Sequence, residues 1–359
     1  MRIHVVTLIP GDGIGAEVTS AAVEVVEAAA RLTGARFDWQ THAAGADAYK
    51  ETGEYIPKEL YASIEGTRVA LKGPVGTPIG GGFSSINVQL RRHFELYANF
   101  RPVKSLPGLK TNYPGLDLLI VRENMEGLYA GFELEIVPGV VQALKVITEK
   151  GSTRIAKFAF EYARKHGRKK VHAIHKANIM KLSDGLFLRC AREVSEGFPE
   201  IGYAEHIVDN TAMQMVLNPY QYDVIVTENL YGDILSDLCS ALVGGLGLVP
   251  GANLGADCAI FEAVHGSAPD IAGKGVANPT AVLQSAVLML RHLDEAAAAD
   301  RIQGALDRVY GEGKSLTRDV GGTSGTGEFK DALLGALEEA AGMPAESAIR
   351  AGQREAASV

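Results

Sequence analysis

Cysteine is scarce in this chain of 359 residues: there are 3, Cys190, Cys239 and Cys258, far apart and without CxxC spacing. That excludes a disulfide scaffold and a thiolate metal site, and a reduced, cytoplasmic compartment is expected. Long apolar runs are missing too. The N-terminal stretch ending at Pro10 is too short and too soon interrupted for a signal peptide, and no run reaches the roughly 20 residues of a membrane span. A soluble, unexported protein is therefore expected. Positive charge is not in excess, since 35 Lys and Arg stand against 43 Asp and Glu, a net −8. Nucleic acid and anionic membrane surfaces are excluded as main partners, although a few arginines can still make a locally positive pocket.

What is present is an ordinary globular composition, 47% hydrophobic and 22% charged, in a chain long enough for two packed lobes. A β-like run from Ile3 to Ile9 breaks at Pro10-Gly-Asp-Gly-Ile-Gly15 and gives way to a helical pattern over Glu17 to Leu32. Arg68 to Lys72, Leu116 to Val121, Lys170 to Ile174 and Tyr222 to Thr227 read as strands, and Ile155 to His166, Thr280 to His292, Ala296 to Tyr310 and Glu328 to Ala341 as helices. Such alternation predicts an α/β fold with a layered sheet. Two β-like runs around Pro138-Gly139 predict a hairpin, and Val243 to Gly255 reads as a glycine-rich connector.

Asp233 and Asp237 stand four apart at the start of an apparent helix, which puts both carboxylates on one face, a spacing suited to a hard divalent cation. Acids in a first helical turn can equally offset the helix dipole. The glycine loop Gly11 to Gly15 is not GxGxxG and no acidic residue follows a strand at the distance a dinucleotide fold requires. Ser85 and Asn87 lie at the start of a helix carrying Arg91, Arg101 follows in an extended run, and Arg122 ends a strand. Three converging guanidinium groups would suit a di- or tricarboxylate; apart, each is a surface cation. Lys176 sits at a strand end where a base could work. Asp209, read alone, is a helix N-cap, and Tyr129 a packing tyrosine. In the polar loop from Glu262 to Pro279, Asp270 could accept bonds from a ribose diol and repel a 2′-phosphate with no cation beside it, selecting NAD over NADP.

Asn229-Leu-Tyr-Gly-Asp-Ile-Leu-Ser-Asp237, the following Gly244 to Gly255, His175-Lys-Ala-Asn-Ile-Met180 and His265-Gly-Ser-Ala-Pro-Asp-Ile-Ala-Gly273 together resemble the β-decarboxylating dehydrogenases of isocitrate, isopropylmalate and homoisocitrate. The resemblance runs from Ile3 to about Ala341. It implies a two-lobed fold, a mixed sheet flanked by helices with a β clasp, and no conventional Rossmann domain. The large lobe would hold residues 1–98 and 252–359, the small lobe 99–251, with 127–148 as an intersubunit clasp. It also implies a homodimer or higher homo-oligomer with shared active sites. Asp233 and Asp237, with Asp209 of the partner subunit, would hold Mg²⁺ or Mn²⁺. Lys176, also from the partner, would be the base and Tyr129 the acid, while Arg91, Arg101 and Arg122 would bind carboxylates. Gly266, Ser267, Asp270, Ile271 and Asn278 would surround the adenosine half of NAD, with Glu262 and His265 in the same loop and Lys72 and Thr77 nearer the nicotinamide. Ser84, Asn87 and Val88 stand where isopropylmalate enzymes resemble one another in placing a glutamate and leucines, and Ser85 with Asn87 is similar to the pair used by isocitrate enzymes. The implied activity is NAD-dependent oxidative decarboxylation of isocitrate. Homoisocitrate or isopropylmalate dehydrogenase, or a non-catalytic regulatory subunit, are the alternatives.

Overall fold

The computed structural model describes residues 2–76 and 85–342, and Thr77 and Ser84 lie outside them. Twelve strands, eleven α-helices and three short 3-10 helices occur among the described residues. In chain order the first elements are β1 (Arg2–Ile9), α1 (Gly15–Thr33), β2 (Ala35–Thr41), α2 (Ala46–Thr52), α3 (Lys58–Thr67), β3 (Val69–Lys72) and α4 (Ile86–His93). The middle of the chain forms β4 (Ala98–Lys104), β5 (Asp117–Glu123), β6 (Gly127–Val137), β7 (Val140–Val146), α5 (Glu149–Lys165), β8 (Lys170–His175), α6 (Ser183–Ser195), β9 (Gly202–Ile207), α7 (Val208–Leu217), β10 (Val224–Thr227) and α8 (Asn229–Leu242). The last elements are β11 (Pro250–Leu254), β12 (Ala259–Ala263), α9 (Thr280–His292), α10 (Ala296–Glu312) and α11 (Thr326–Gly342).

Ten strands form one mixed sheet in the order β2-β1-β3-β12-β11-β4-β5-β10-β8-β9. Its two wings are parallel, and they meet through the antiparallel ladders β12/β11, β11/β4 and β4/β5. The fold class expected from sequence is observed. One reading needs correction: the glycine-rich stretch from Val243 to Gly255 is not all connector, because Pro250–Leu254 is a central strand. Pro250 and Gly251 disfavour a strand locally, but their pairing with β12, the pairing of Ala252–Leu254 with both β12 and β4, and burial override that preference.

Burial explains the helices that flank the sheet. In α1 the apolar residues Val18, Ala22, Val25, Val26, Ala29 and Ala30 recur at helical spacing and are buried against α9, α10 and α11. Glycine in the opening loop has a packing role: a Cβ on Gly13, at φ 61°, would lie 2.1 Å from the Ser267 carbonyl oxygen. Asp12 is buried beside it and accepts backbone N–H bonds from Ala46, Asp47 and Gly76, so the loop's acid fixes neighbouring backbone. β6 and β7 form the expected hairpin as a separate two-stranded sheet. Phe132, Leu134, Ile136 and Val141 on it are exposed.

Candidate active site

Pairing of β4 with β5 brings two arginines together, because Asn99 lies opposite Arg122 and Arg101 is two residues further along the same face. Arg91 reaches them from the last turn of α4. All three are buried, with Arg122 only 1% exposed. Burial and the charges of Arg101 and Arg91 lower the Arg122 guanidinium to about 10, and burial and Arg91 lower Arg101 as well. The three guanidinium groups thus lie close enough for their charges to act on one another.

Buried guanidinium groups are tolerated when acids and acceptors face them. Arg122 donates to Asn229 Oδ1 from Nε at 2.9 Å and from Nη2 at 2.7 Å, and pairs with Asp233 through Nη1. Arg101 donates to Ser236 and lies 3.4 Å from Asp237, and Arg91 lies 3.3 Å from Glu262. Arg91 Nε, Arg101 Nε and Asn87 Oδ1 are buried without a hydrogen-bond partner. These polar atoms border a cavity of about 140 Å³ whose wall includes Lys72, Asn87, Arg91, Arg101, Glu262 and His265. Its size and polarity fit a small anion. Ser85 precedes α4 at the same end.

Asp233 and Asp237 project from α8, which begins at Asn229, so both lie beyond its first turn and the helix-dipole explanation does not account for them. Tyr129, from β6, donates its hydroxyl to Asp233, and the Arg122 guanidinium lies 5.1 Å from the centre of its ring. Burial raises the Tyr129 pKa, and Asp233 adds to the rise. Burial also opposes ionisation of Asp233, but Arg122, the Tyr129 hydroxyl and Arg101 outweigh it and hold that carboxyl low. Asp237 is raised by burial and by Asp233, against Arg101.

The parallel strands β8 and β9 run in register to their ends, His175 opposite Ile207, so the residues that follow are neighbours. Lys176 Nζ lies 2.5 Å from Asp209 Oδ1. Asp209 is the second residue of α7 and Ile207 its N-cap, which corrects the N-cap reading: the helix starts a residue before Asp209. The hydrogen bond from Lys176 holds the Asp209 carboxyl below its ordinary pKa. Among the described residues no group of three or more His, Cys, Asp or Glu could hold a metal ion. One chain presents Asp233 with Asp237, and separately Asp209 with Lys176. The first pair fits a hard cation by ligand type and spacing, as part of a coordination shell.

On the other wall Lys72 Nζ lies 2.6 Å from Glu262, both buried. Burial would push the Glu262 carboxyl up, but Lys72, Arg91 and Asn253 outweigh it and hold it at about 2. His265 has Nδ1 3.0 Å from the Gly266 carbonyl, and its Nε2 is buried without a partner. The Ser267 carbonyl accepts the Ile14 N–H at 2.9 Å, tying this loop to the glycine loop. Asp270 is exposed and Ile271 half-buried. Lys274 donates to the Asp270 carbonyl at 2.7 Å, which corrects the expectation that no cation stands beside Asp270. Asn278 is buried and turned inward, donating to Tyr310 and Asp319 and accepting from Thr280.

Sequence reasoning missed the amides behind the site. Asn99 and Asn124 donate to Asn253 Oδ1 at 2.8 and 3.0 Å, and Asn253 donates to Glu262 at 2.7 Å. Asparagine in a strand, as at Asn99 and Asn253, was the available signal, because strands disfavour it unless its polar atoms are used.

Residues 5–333 match the isocitrate/isopropylmalate dehydrogenase family. The chain is 52% identical over 328 residues to the NAD isocitrate dehydrogenase catalytic subunit 5, mitochondrial, of Arabidopsis thaliana, covering 91% of this chain and 87% of that protein. It is 51% identical over 309 residues to the chloroplastic 3-isopropylmalate dehydrogenase of Solanum tuberosum, covering 86% of this chain and 85% of that protein. The crystal structure of isocitrate dehydrogenase from Methylococcus capsulatus matches with a TM-score of 0.89 at 48% identity, over 93% of this chain and 99% of that one. Several NAD isocitrate dehydrogenase relatives are named mitochondrial, which overturns the cytoplasmic placement expected from the cysteines. Free thiols report a reducing milieu and do not distinguish the compartments that share one.

Proposed function

The chain belongs to the isocitrate/isopropylmalate dehydrogenase family, and from that premise we propose that it oxidises isocitrate with NAD and releases CO₂ to give 2-oxoglutarate. The observation that supports this reading is the clustering of Arg91, Arg101 and Arg122, of which Arg91 and Arg101 line one polar cavity. Three cations in one place favour a substrate with several carboxylates. Identity near 50% to both isocitrate and isopropylmalate enzymes leaves the substrate to the α4 residues. Asn87 offers a buried, unpartnered amide oxygen at the cavity wall. An alkyl group sealed against it would cost about 1–3 kcal/mol in unmade hydrogen bonding.

Arg91, Arg101 and Arg122, with Ser85 and Asn87, are assigned to the substrate carboxylates and hydroxyl-bearing backbone. Mg²⁺ or Mn²⁺ held by Asp233 and Asp237, with Asp209 of the partner subunit, would supply Lewis-acid polarisation of the C2 oxygen. NAD beside Lys72, Thr77, Glu262, His265, Gly266, Ser267, Asp270, Ile271 and Asn278 would accept the hydride from C2. Lys176 of the partner subunit takes the C2 hydroxyl proton. When CO₂ leaves, the bonding pair stays on C3, and Tyr129 delivers a proton there. Its raised pKa keeps the phenol protonated, as an acid must be.

Shared sites require at least a dimer, and a homo-oligomer is favoured because this chain carries Tyr129, Lys176 and all three aspartates. Residues 1–98 with 252–359 are assigned to a cofactor-side lobe and 99–251 to a smaller one. The exposed apolar side chains of the 127–148 hairpin support its role as a clasp between subunits. Steady-state NADH formation by the purified chain alone, with isocitrate, homoisocitrate and 3-isopropylmalate side by side, tests the reading. The highest kcat/KM with isocitrate supports it. A preference for another acid overturns the substrate, and turnover of none would make the chain a regulatory subunit.

A further inference from the structure

Behind the arginines and the Lys176 loop lies a second ionic group that the chemistry above does not use. Lys145, on the hairpin strand β7, turns its ammonium inward and is 15% exposed. It lies 2.6 Å from Asp184 Oδ1 and pairs with Glu228. It is also 3.4 Å from the Tyr231 hydroxyl. Asp184, on α6, is fully buried, and its other oxygen accepts the Lys176 backbone N–H at 2.7 Å and the Tyr231 hydroxyl at 3.2 Å. Glu228 is the N-cap of α8 and immediately precedes Asn229, the residue that receives two bonds from Arg122. Glu228 Oε1 is buried without a partner.

One ammonium therefore serves two buried carboxylates that reach different parts of the candidate site. We propose that Lys145 is a positioning residue for the reaction, acting through Asp184 on the loop that carries Lys176 and through Glu228 on the Asn229–Arg122 contact. Asp184 clamps the backbone of the base rather than its side chain, so moving Asp184 moves the point from which Lys176 reaches. Glu228 is the N-cap of α8, the helix that presents Asn229 and, a turn later, Asp233. Taking the ammonium away would leave two buried acids without the cation that both face, and such groups separate or take up a proton. A displacement of about 1 Å at a base is enough to cost on the order of a hundredfold in rate.

The inference rests on the roles proposed above for Lys176 and Arg122, so its test has a readout that needs no turnover. Lys145→Met, Lys145→Met/Glu228→Gln and Lys145→Arg are compared with wild type. Backbone hydrogen exchange is followed in the peptide containing Lys176, alongside kcat and KM for isocitrate. Lys145→Met is expected to speed exchange at the Lys176 amide and to lower kcat by about tenfold or more, with a smaller change in KM. Removing the uncompensated charge in Lys145→Met/Glu228→Gln should recover part of both, and Lys145→Arg should retain most of both. Should Lys145→Met fail to fold, the double variant is compared with Glu228→Gln alone. Unchanged exchange at Lys176 in a folded Lys145→Met protein overturns the proposal, as does an equal loss in the single and double variants. Altered exchange in a chain that turns over none of the three acids would instead sink the functional reading and leave only the coupling of Lys145 to the Lys176 backbone standing.

Discussion

Gly232 stands so close to Arg122 that a Cβ on it would lie 2.6 Å from the arginine's Cγ and 2.7 Å from its Cβ. The absent side chain lets α8 approach β5, and with it come Asn229 and Asp233, which hold the Arg122 guanidinium. Alanine in a helix is ordinarily better than glycine by about 1 kcal/mol, so Gly232→Ala would help an isolated helix. Here it must push Arg122 or α8 aside. The expected result is a rise in KM for isocitrate of roughly tenfold in a protein that still folds, read by steady-state kinetics and circular dichroism. An unchanged KM would mean that the packing gives way without moving the guanidinium.

The second prediction concerns the carboxylates of α8. With Asp233 and Asp237 as ligands, excess EDTA should abolish turnover and Mg²⁺ or Mn²⁺ should restore it. Asp233→Asn also takes away the partner of Arg122 and Tyr129, so it should weaken metal-dependent isocitrate binding, measured calorimetrically with and without the cation, by about tenfold or more. Full activity in chelator would remove the metal from the reaction.

How far the sequence discloses this architecture depends on whether the cause is local. The α9 helix occupies Thr280–His292 as expected, because its apolar periodicity and the preceding proline are local signals. The hairpin is legible for the same reason, with Gly139 at φ 82° in its turn. β11 was not, since Pro250 and Gly251 gain their strand conformation from pairing with β12, while β4 pairs only from Ala252 onward. Arg91, Arg101 and Arg122 could be named as candidates, but their meeting depends on the β4/β5 register, which no window of sequence contains. Lys145, Asp184 and Glu228 gave no signal at all, since a lysine in a hairpin and an acid near a helix start are ordinary until the fold buries them together.

The third prediction follows from Glu123, which ends β5 and is 5% exposed. Burial raises its carboxyl to about 7, against the N–H groups of Glu126 and Met125. A folded pKa above the ordinary 4.5 means that the folded chain binds the proton more tightly than the unfolded chain. The contribution to stability is then best below the unfolded value, declines as pH rises through the folded one, and is at its worst above about pH 7. Glu123→Gln does not titrate. Urea unfolding should show wild type losing stability relative to this variant by roughly 1–3 kcal/mol between about pH 5 and pH 8. A difference that does not vary with pH would show that Glu123 does not titrate in this range.

The last prediction concerns which subunit supplies which proton-transfer group. Tyr129 pairs with Asp233, and Lys176 pairs with Asp209, so one chain holds the two groups in separate hydrogen-bonded pairs. If each site joins Tyr129 of one subunit to Lys176 of the other, Tyr129→Phe and Lys176→Met homodimers should both be nearly inactive. A dimer of the two variants gathers both lesions into one site and leaves its second site whole. Random reassembly of equal amounts makes about half the dimers mixed, each with one working site, so roughly a quarter of wild-type activity should return under two-fold symmetry. Co-refolding the variants, confirming mixed dimers by native mass spectrometry and measuring NADH production would show it. Activity no higher than the mean of the separate variants would place Tyr129 and Lys176 in the same subunit's site, and the Lys176–Asp209 pair would then have to be reached from α8 within one chain.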